Sequence, residues 1–438
     1  MQTDKTTLLD LGIFNPEEEY SLFNLLNLTQ TNNGRQELRK ILSTPLESLA
    51  EIEGMQITLK LVASKISAHP AAITNGTVIM IERFYETPVD PIPRNASTLT
   101  ANSYKLLHGP DFSLIKFSIG HCISFIKGMK EIYDLFREAP ATSPMSSLMK
   151  KIHLILDNLN IQKILNAKNA ANLKGGELLQ HAYYLKYSFK NNMLALLTYY
   201  ARLDAWFSLA FSIQKHRLVF PEFTTAPGPE IKITGLFHML LPVPVAYDMH
   251  LERKSNFLFL TGANMAGKST FIKAVGTAVY LAHLGMAVPA ETMSLSMFEG
   301  LLSNINVADN IVKGESYFFN EVQRIKNTID KISDGRRWLI LIDELFKGTN
   351  VQDAMKCSSA VIEGLLKVNS SAFILSTHLY EIGEALKVHN NIQFNYFETN
   401  VHDGQLDFSY VLRPGISNDR LGYVILQREG VVKLLEKL

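Results

Sequence analysis

From Tyr20 to about Arg217 the apolar residues recur at spacings of three and four, as in Leu22, Leu25 and Leu26 and again in Ile152, Ile155, Leu156 and Leu159. That is the period of a helix with one buried face, so the first half of the chain is predicted to be mainly helical. Pro88, Pro91 and Pro93 within Thr87–Thr98, and Pro140 and Pro144 within Glu138–Ser147, interrupt it as loops or helix ends. A denser break holds Pro221, Pro227, Gly228 and Pro229, followed by Pro242 and Pro244, and it puts the boundary between a helical domain, 1–228, and a second domain, 229–438. Beyond it the short apolar runs Phe257–Thr261, Trp338–Ile342 and Ala372–Thr377 each precede a helix-like stretch. This alternation predicts an α/β domain with a mostly parallel sheet covered by helices. Near the end, Ile392–Thr399 and Leu406–Leu412 flank His402, Asp403 and Gly404, the pattern of a hairpin.

The most apolar stretch, Met193–Ile213, carries Arg202 and Asp204 at its middle. Each charge would cost a few kcal/mol inside a bilayer, so a buried helix is expected there and no membrane partner. Across 438 residues, 47% are hydrophobic and 19% charged, which suits a folded globular chain and neither a disordered nor a polytopic membrane one. Lys+Arg number 43 against 42 Asp+Glu, so the whole chain carries no signal for an anionic partner. The stretch Lys105–Arg217 differs, with 15 basic against 7 acidic residues, and this helical middle is suited to an anionic surface unless its lysines serve only as a solvated face. Cys122 and Cys357 are the only cysteines, which excludes a disulfide scaffold or a cysteine zinc cluster. Met1–Asp10 lacks the basic start and apolar run of a signal peptide, and a cytoplasmic location is expected.

The chemistry concentrates in the second half. Gly262, Ala263, Asn264, Met265, Ala266, Gly267, Lys268 and Ser269 match G-x-x-x-x-G-K-[ST], directly after a strand-like run and directly before the helical Thr270–Tyr280. In such a P-loop the glycines let successive N–H groups point at phosphate oxygens while the helix presents its positive end to the same anion. Lys268 would reach the β and γ phosphates of ATP, and the Ser269 hydroxyl would ligate Mg²⁺. Trp338–Ile342 ends in Asp343 and Glu344. A buried strand would bring Asp343 rigidly to the Mg²⁺ shell, and Glu344 would orient or deprotonate the water that attacks the γ-phosphate. Ala372–Thr377 ends at His378, at the strand edge where ligands bind in open α/β sheets, as a candidate γ-phosphate contact. Ser316, ahead of the amphipathic run to Glu321, reads on these grounds as a helix N-cap.

With these pieces in order the chain resembles the MutS family of DNA mismatch-repair ATPases, within the ABC ATPase class. Thr261–Thr270, with its Asn264 and Met265, resembles that family's P-loop; Asp343–Thr349 resembles its acidic motif, and Ser376, Thr377 and His378 its histidine switch. Upstream, Leu25–Leu38 with Pro45 and Leu46 resembles the opening of the family's helical core, and Leu203, Asp204 and Pro221–Phe223 its close. Leu236–His238 and Val245–Asp248 resemble the segment beneath the adenine. The resemblance implies a helical core or lever with a reduced or absent clamp, followed by an ABC-type P-loop domain. It implies a homodimer with composite ATP sites, in which Ser316 contacts a γ-phosphate of the partner subunit. The family's mismatch-wedge and connector domains have no room before Tyr20, so any DNA binding is expected to be weak and not mismatch-specific. Ala263 stands where a proline is usual, and Phe346 and Lys347 replace a glycine and an arginine, which bears on turnover more than on nucleotide binding.

The expected function is therefore a dimeric Mg²⁺-dependent ATPase coupled to DNA binding or repair. A P-loop kinase would need arginines converging on the transferred phosphate, and a transporter's ATPase subunit would carry a Gly-Gly-Gln signature; neither is present. A nucleotide-gated scaffold is the remaining alternative.

Overall fold

The computed structural model describes every residue except 69–72, 167–172, 307–316, 403–404, 418–425, 428–429 and 436–438. The chain forms two compact units, one of Leu26–Thr44 with Glu53–Lys215 and one of Met1–Leu25, Pro45–Ile52 and His216–Leu438.

The first unit is built of helices. Thr31, Thr74, Ser97 and Ser143 cap the helices Asn32–Ser43, Asn75–Glu86, Thr98–Leu107 and Pro144–Leu156, each side-chain oxygen accepting the amide three residues on. Such caps contribute about 1 kcal/mol each. Pro144 sits at the start of its helix, where its missing N–H leaves no bond unmade. The long helices Gly109–Phe136 and Lys190–Lys215 supply the core, with the rings of Phe125 and Tyr200 centred 5.9 Å apart and those of Phe136 and Phe207 6.0 Å apart. Met193–Ile213 lies within Lys190–Lys215 as a buried helix, and among the described residues no helix is long and apolar enough to cross a membrane. Its Asp204 is buried because the carboxylate accepts the amides of Gln30 at 2.8 Å and Thr31 at 2.9 Å and the Thr31 hydroxyl at 2.6 Å. Gly34 passes so close that a Cβ there would meet that carboxylate at 2.1 Å.

The second unit is α/β, with two mixed sheets. Its strands are β1 (Glu222–Thr224), β2 (Ile231–Leu236), β3 (Tyr247–Leu251), β4 (Phe257–Thr261), β5 (Thr292–Ser296), β6 (Gly300–Asn304), β7 (Trp338–Asp343), β8 (Ala372–Ser376), β9 (Ile392–His402) and β10 (Gln405–Pro414). Four strands run in the order β1-β5-β2-β3 and six in the order β10-β9-β4-β8-β7-β6. In the larger sheet β9 pairs with β4, β4 with β8, β8 with β7 and β7 with β6 in parallel, while β10 returns antiparallel along β9 as the expected hairpin. Strands β4, β6, β7 and β8 are buried at every position, which explains the apolar runs of β4, β7 and β8. Burial of each Leu, Ile or Phe there contributes about 1.5–3 kcal/mol. The register sets Leu260 and Asp343 beside Ser376, so the carboxyl ends of β4, β8 and β7 lie level.

The units divide the chain differently from the sequence boundary at 228. The first 25 residues pack with the α/β unit. Gln2 bridges in parallel to Gly300, and the buried Asp10 carboxylate accepts the Ser303 hydroxyl at 2.6 Å and the Ile305 and Asn306 amides at 3.1 Å each. Leu11 and Ile13 are buried as well. The residues 216–228, which include β1, also belong to this unit.

Candidate active site

Loop 262–267 leaves the end of β4 and passes directly into the helix Lys268–His283. Gly267 precedes that helix at φ +106, a left-handed conformation that glycine adopts freely and side-chain-bearing residues rarely do. A Cβ there would stand 3.3 Å from the Tyr410 ring. The first-turn amides and the positive end of the helix dipole therefore face the loop. Lys268 donates to the carbonyls of Gly262 at 2.7 Å and Ala263 at 3.0 Å. Burial lowers its pKa, opposed by the charges of Glu344 and Asp343.

Asp343 ends β7 and is nearly buried. One oxygen accepts the Ser269 hydroxyl at 2.5 Å and the other accepts the Ser376 hydroxyl, so the carboxylate is aimed at the first turn of the helix. Glu344 follows at φ +63, its amide donating to the Ser376 carbonyl at 3.0 Å. One carboxylate oxygen lies 3.3 Å from the Lys347 Nζ and 3.6 Å from the His378 Nδ1. Burial pushes the Glu344 carboxyl up, but the hydrogen bond from His378 and the charges of Lys347, His378 and Lys268 outweigh it and bring the pKa down to about 2. Glu344 is ionised at any physiological pH.

These groups border a cavity of about 400 Å³. Asn264, Lys268, Ser269, Thr270 and Glu344 give it polar side chains, and Ala263, Met265 and Gly267 line it as part of the loop; Leu241, Val243 and Val245, with the rings of Tyr247 and Tyr410, give it an apolar wall. Gly262 and Ala266 shape the loop without lining the cavity. Asp343 stands behind Ser269, and His378, half exposed, stands behind Glu344. Ser316 lies outside the described residues.

The Tyr410 contribution escapes sequence reasoning. β10 slips register against β9 between Phe408 and Leu412, and Tyr410 takes φ +53 within that slip. Strand alternation carries no trace of such a bulge.

Against known proteins, residues 258–434 match the family described as MutS domain V. The chain is similar to the DNA mismatch repair protein MutS of Streptococcus gordonii, 29% identical over 242 residues, covering 54% of this chain and 28% of that protein. It resembles the protein of the same name from Leuconostoc citreum at 30% over 252 residues, covering 55% and 28%. With that of Ehrlichia ruminantium it shares 30% identity over 211 residues, covering 48% and 25%. The chain thus spans less than a third of the length of the curated relatives it matches.

Proposed function

We propose, from the match of residues 258–434 to MutS domain V, that the protein is a cytoplasmic ATPase of the ABC P-loop type that binds ATP in this cavity and hydrolyses it. The observation that carries the reading is the direct contact of Ser269, in the first turn of the helix that follows β4, with Asp343 at the carboxyl end of β7, with Glu344 one residue on. Loop amides and Lys268 suit the triphosphate, and the apolar lining of Leu241, Val243, Val245 and Tyr247 suits the base. The hydroxyl of Ser269 and the carboxylate of Asp343 are adjacent oxygen donors that fit a hard divalent cation, and Mg²⁺ held there would neutralise phosphate charge.

In the reaction, a water oxygen bonds to the γ-phosphorus as the bond to the β–γ bridging oxygen breaks, the water's proton passes to an oxygen of the departing phosphate, and ADP and phosphate are released. Lys268 neutralises charge on the β and γ oxygens. Glu344 accepts a hydrogen bond from the attacking water and directs its lone pair. Held near pKa 2, it orients that water more than it deprotonates it. His378, 3.6 Å from Glu344, fixes the carboxylate and stands ready for the γ-phosphate.

The proposal extends to a homodimer in which Ser316 contacts the partner's nucleotide, and to weak, sequence-independent DNA binding by the helical unit. Lys150, Lys151, Lys163 and Lys174 are exposed there. Lys186 is less suited than its sequence position implied, since its ammonium is bound to the carbonyls of Phe84 and Thr87, while Lys168 lies outside the described residues.

Phosphate release by the parent and by Lys268→Ala tests the ATPase reading. Loss of the ammonium should weaken ATP binding by about 10²-fold or more and abolish release at ordinary ATP concentrations. Equal release by both proteins contradicts it.

A further inference from the structure

We propose that Glu321 and Phe318, on the helix Tyr317–Ile332, hold the turn 344–348 in place and so position Glu344 for hydrolysis. Glu321 is almost fully buried. One of its oxygens accepts the Lys347 amide at 3.1 Å and the other the Gly348 amide at 3.3 Å. A single carboxylate thus gathers two successive N–H groups. Burial raises its pKa, and those amides pull it back.

The turn needs such a hold. Glu344 and Phe346 both sit in the left-handed region, at φ +63 and +59, where neither is a glycine. Such a backbone persists only where its surroundings enforce it. The Phe346 ring is buried, with its centroid 5.7 Å from that of Phe318, so the same helix grips the turn a second time. Lys347 joins the two carboxylates, giving its amide to Glu321 and setting its ammonium 3.3 Å from Glu344. Glu321 does not line the cavity, so it is a positioning residue that acts through Lys347 and the backbone. Without it, the strained turn relaxes and takes Glu344 and its lysine out of register with the γ-phosphate.

The inference rests on the reading of Glu344 as the carboxylate that directs water. Its test compares the full chain with Glu321→Gln, which keeps the shape of the side chain but replaces one acceptor oxygen by an amino group. Two quantities are measured, equilibrium affinity for ATP and the rate of a single turnover at saturating ATP. The expected result is affinity within about threefold of the parent with turnover slower by about fivefold or more, since misplacement of a reacting group affects the chemical step. A smaller slowing, or affinity and turnover lost together, overturns the positioning role. Should Glu321→Gln not fold, Phe346→Leu gives the same reading, because it removes the ring contact that holds the turn while a non-glycine residue stays at the left-handed position. A parent without hydrolysis that depends on Lys268 would overturn the ATPase reading and this inference together; intact parent hydrolysis with normal turnover in Glu321→Gln would overturn this inference alone.

Discussion

At φ +53, Tyr410 holds a backbone conformation that costs a non-glycine residue about 1–2 kcal/mol, and the bulge in β10 is where that strain is accepted. The gain is an aromatic wall beside the loop at Gly267. Tyr410→Ala should weaken binding of a fluorescent ATP analogue by about three- to tenfold and leave the single-turnover rate of bound ATP unchanged. Unaltered affinity would remove Tyr410 from the site. At this scale the sequence was legible where spacing itself carries the chemistry, as at Gly262–Ser269 and at Asp343 and Glu344. Tyr410 was not legible, because a bulge leaves no mark on strand alternation. Nor was the meeting of Lys347 with Glu344, which depends on left-handed turns at Glu344 and Phe346 that no residue type there announces.

The helix Lys268–His283 has a function at each end. Its first turn faces loop 262–267, and its last residue, His283, is buried with three bonds: Nδ1 donates to the Val279 carbonyl at 2.8 Å, Nε2 accepts the Phe298 amide at 3.0 Å, and its own carbonyl accepts the Leu46 amide at 2.9 Å. Acceptance at Nε2 requires the neutral ring. Burial lowers the imidazole pKa to about 4, and the bond from Nδ1 to the Val279 carbonyl offsets it only in part. Because the folded value lies below the unfolded 6.5, the native state binds fewer protons, so its stability is full above pH 6.5 and is lost as pH falls towards 4. The loss approaches about 3 kcal/mol, and His238, also lowered to about 4 by burial and by Lys273, acts in the same direction. Urea unfolding between pH 7.5 and 4.5 should show this slope in the parent and a shallower one in His283→Gln. An equally steep variant would contradict the assignment. Helices were legible as elements from their period, but the unit to which residues 1–25 belong was not, because an amphipathic pattern does not say which core receives it. That choice lies in the Gln2 bridge and the bonds of Asp10, both distant in sequence.

At the scale of the whole molecule, the proposed nucleotide site lies within the α/β unit and the proposed DNA-binding lysines lie on the helical unit. Reversing Lys150, Lys151, Lys163 and Lys174 to Glu should lower DNA affinity alike for homoduplex and mismatched duplex, and each lost phosphate contact should reduce the log-affinity versus log-salt slope by about 0.9. A preference of the parent for one mismatch beyond about a few-fold would contradict non-specific binding by phosphate contacts. The central claim, that this cavity hydrolyses ATP through a water directed by Glu344, is tested most directly by Glu344→Gln, with ATP affinity and single-turnover phosphate release measured on the same protein. The account predicts affinity near that of the parent and release slower by about 10²-fold or more; release at the parent's rate would contradict it.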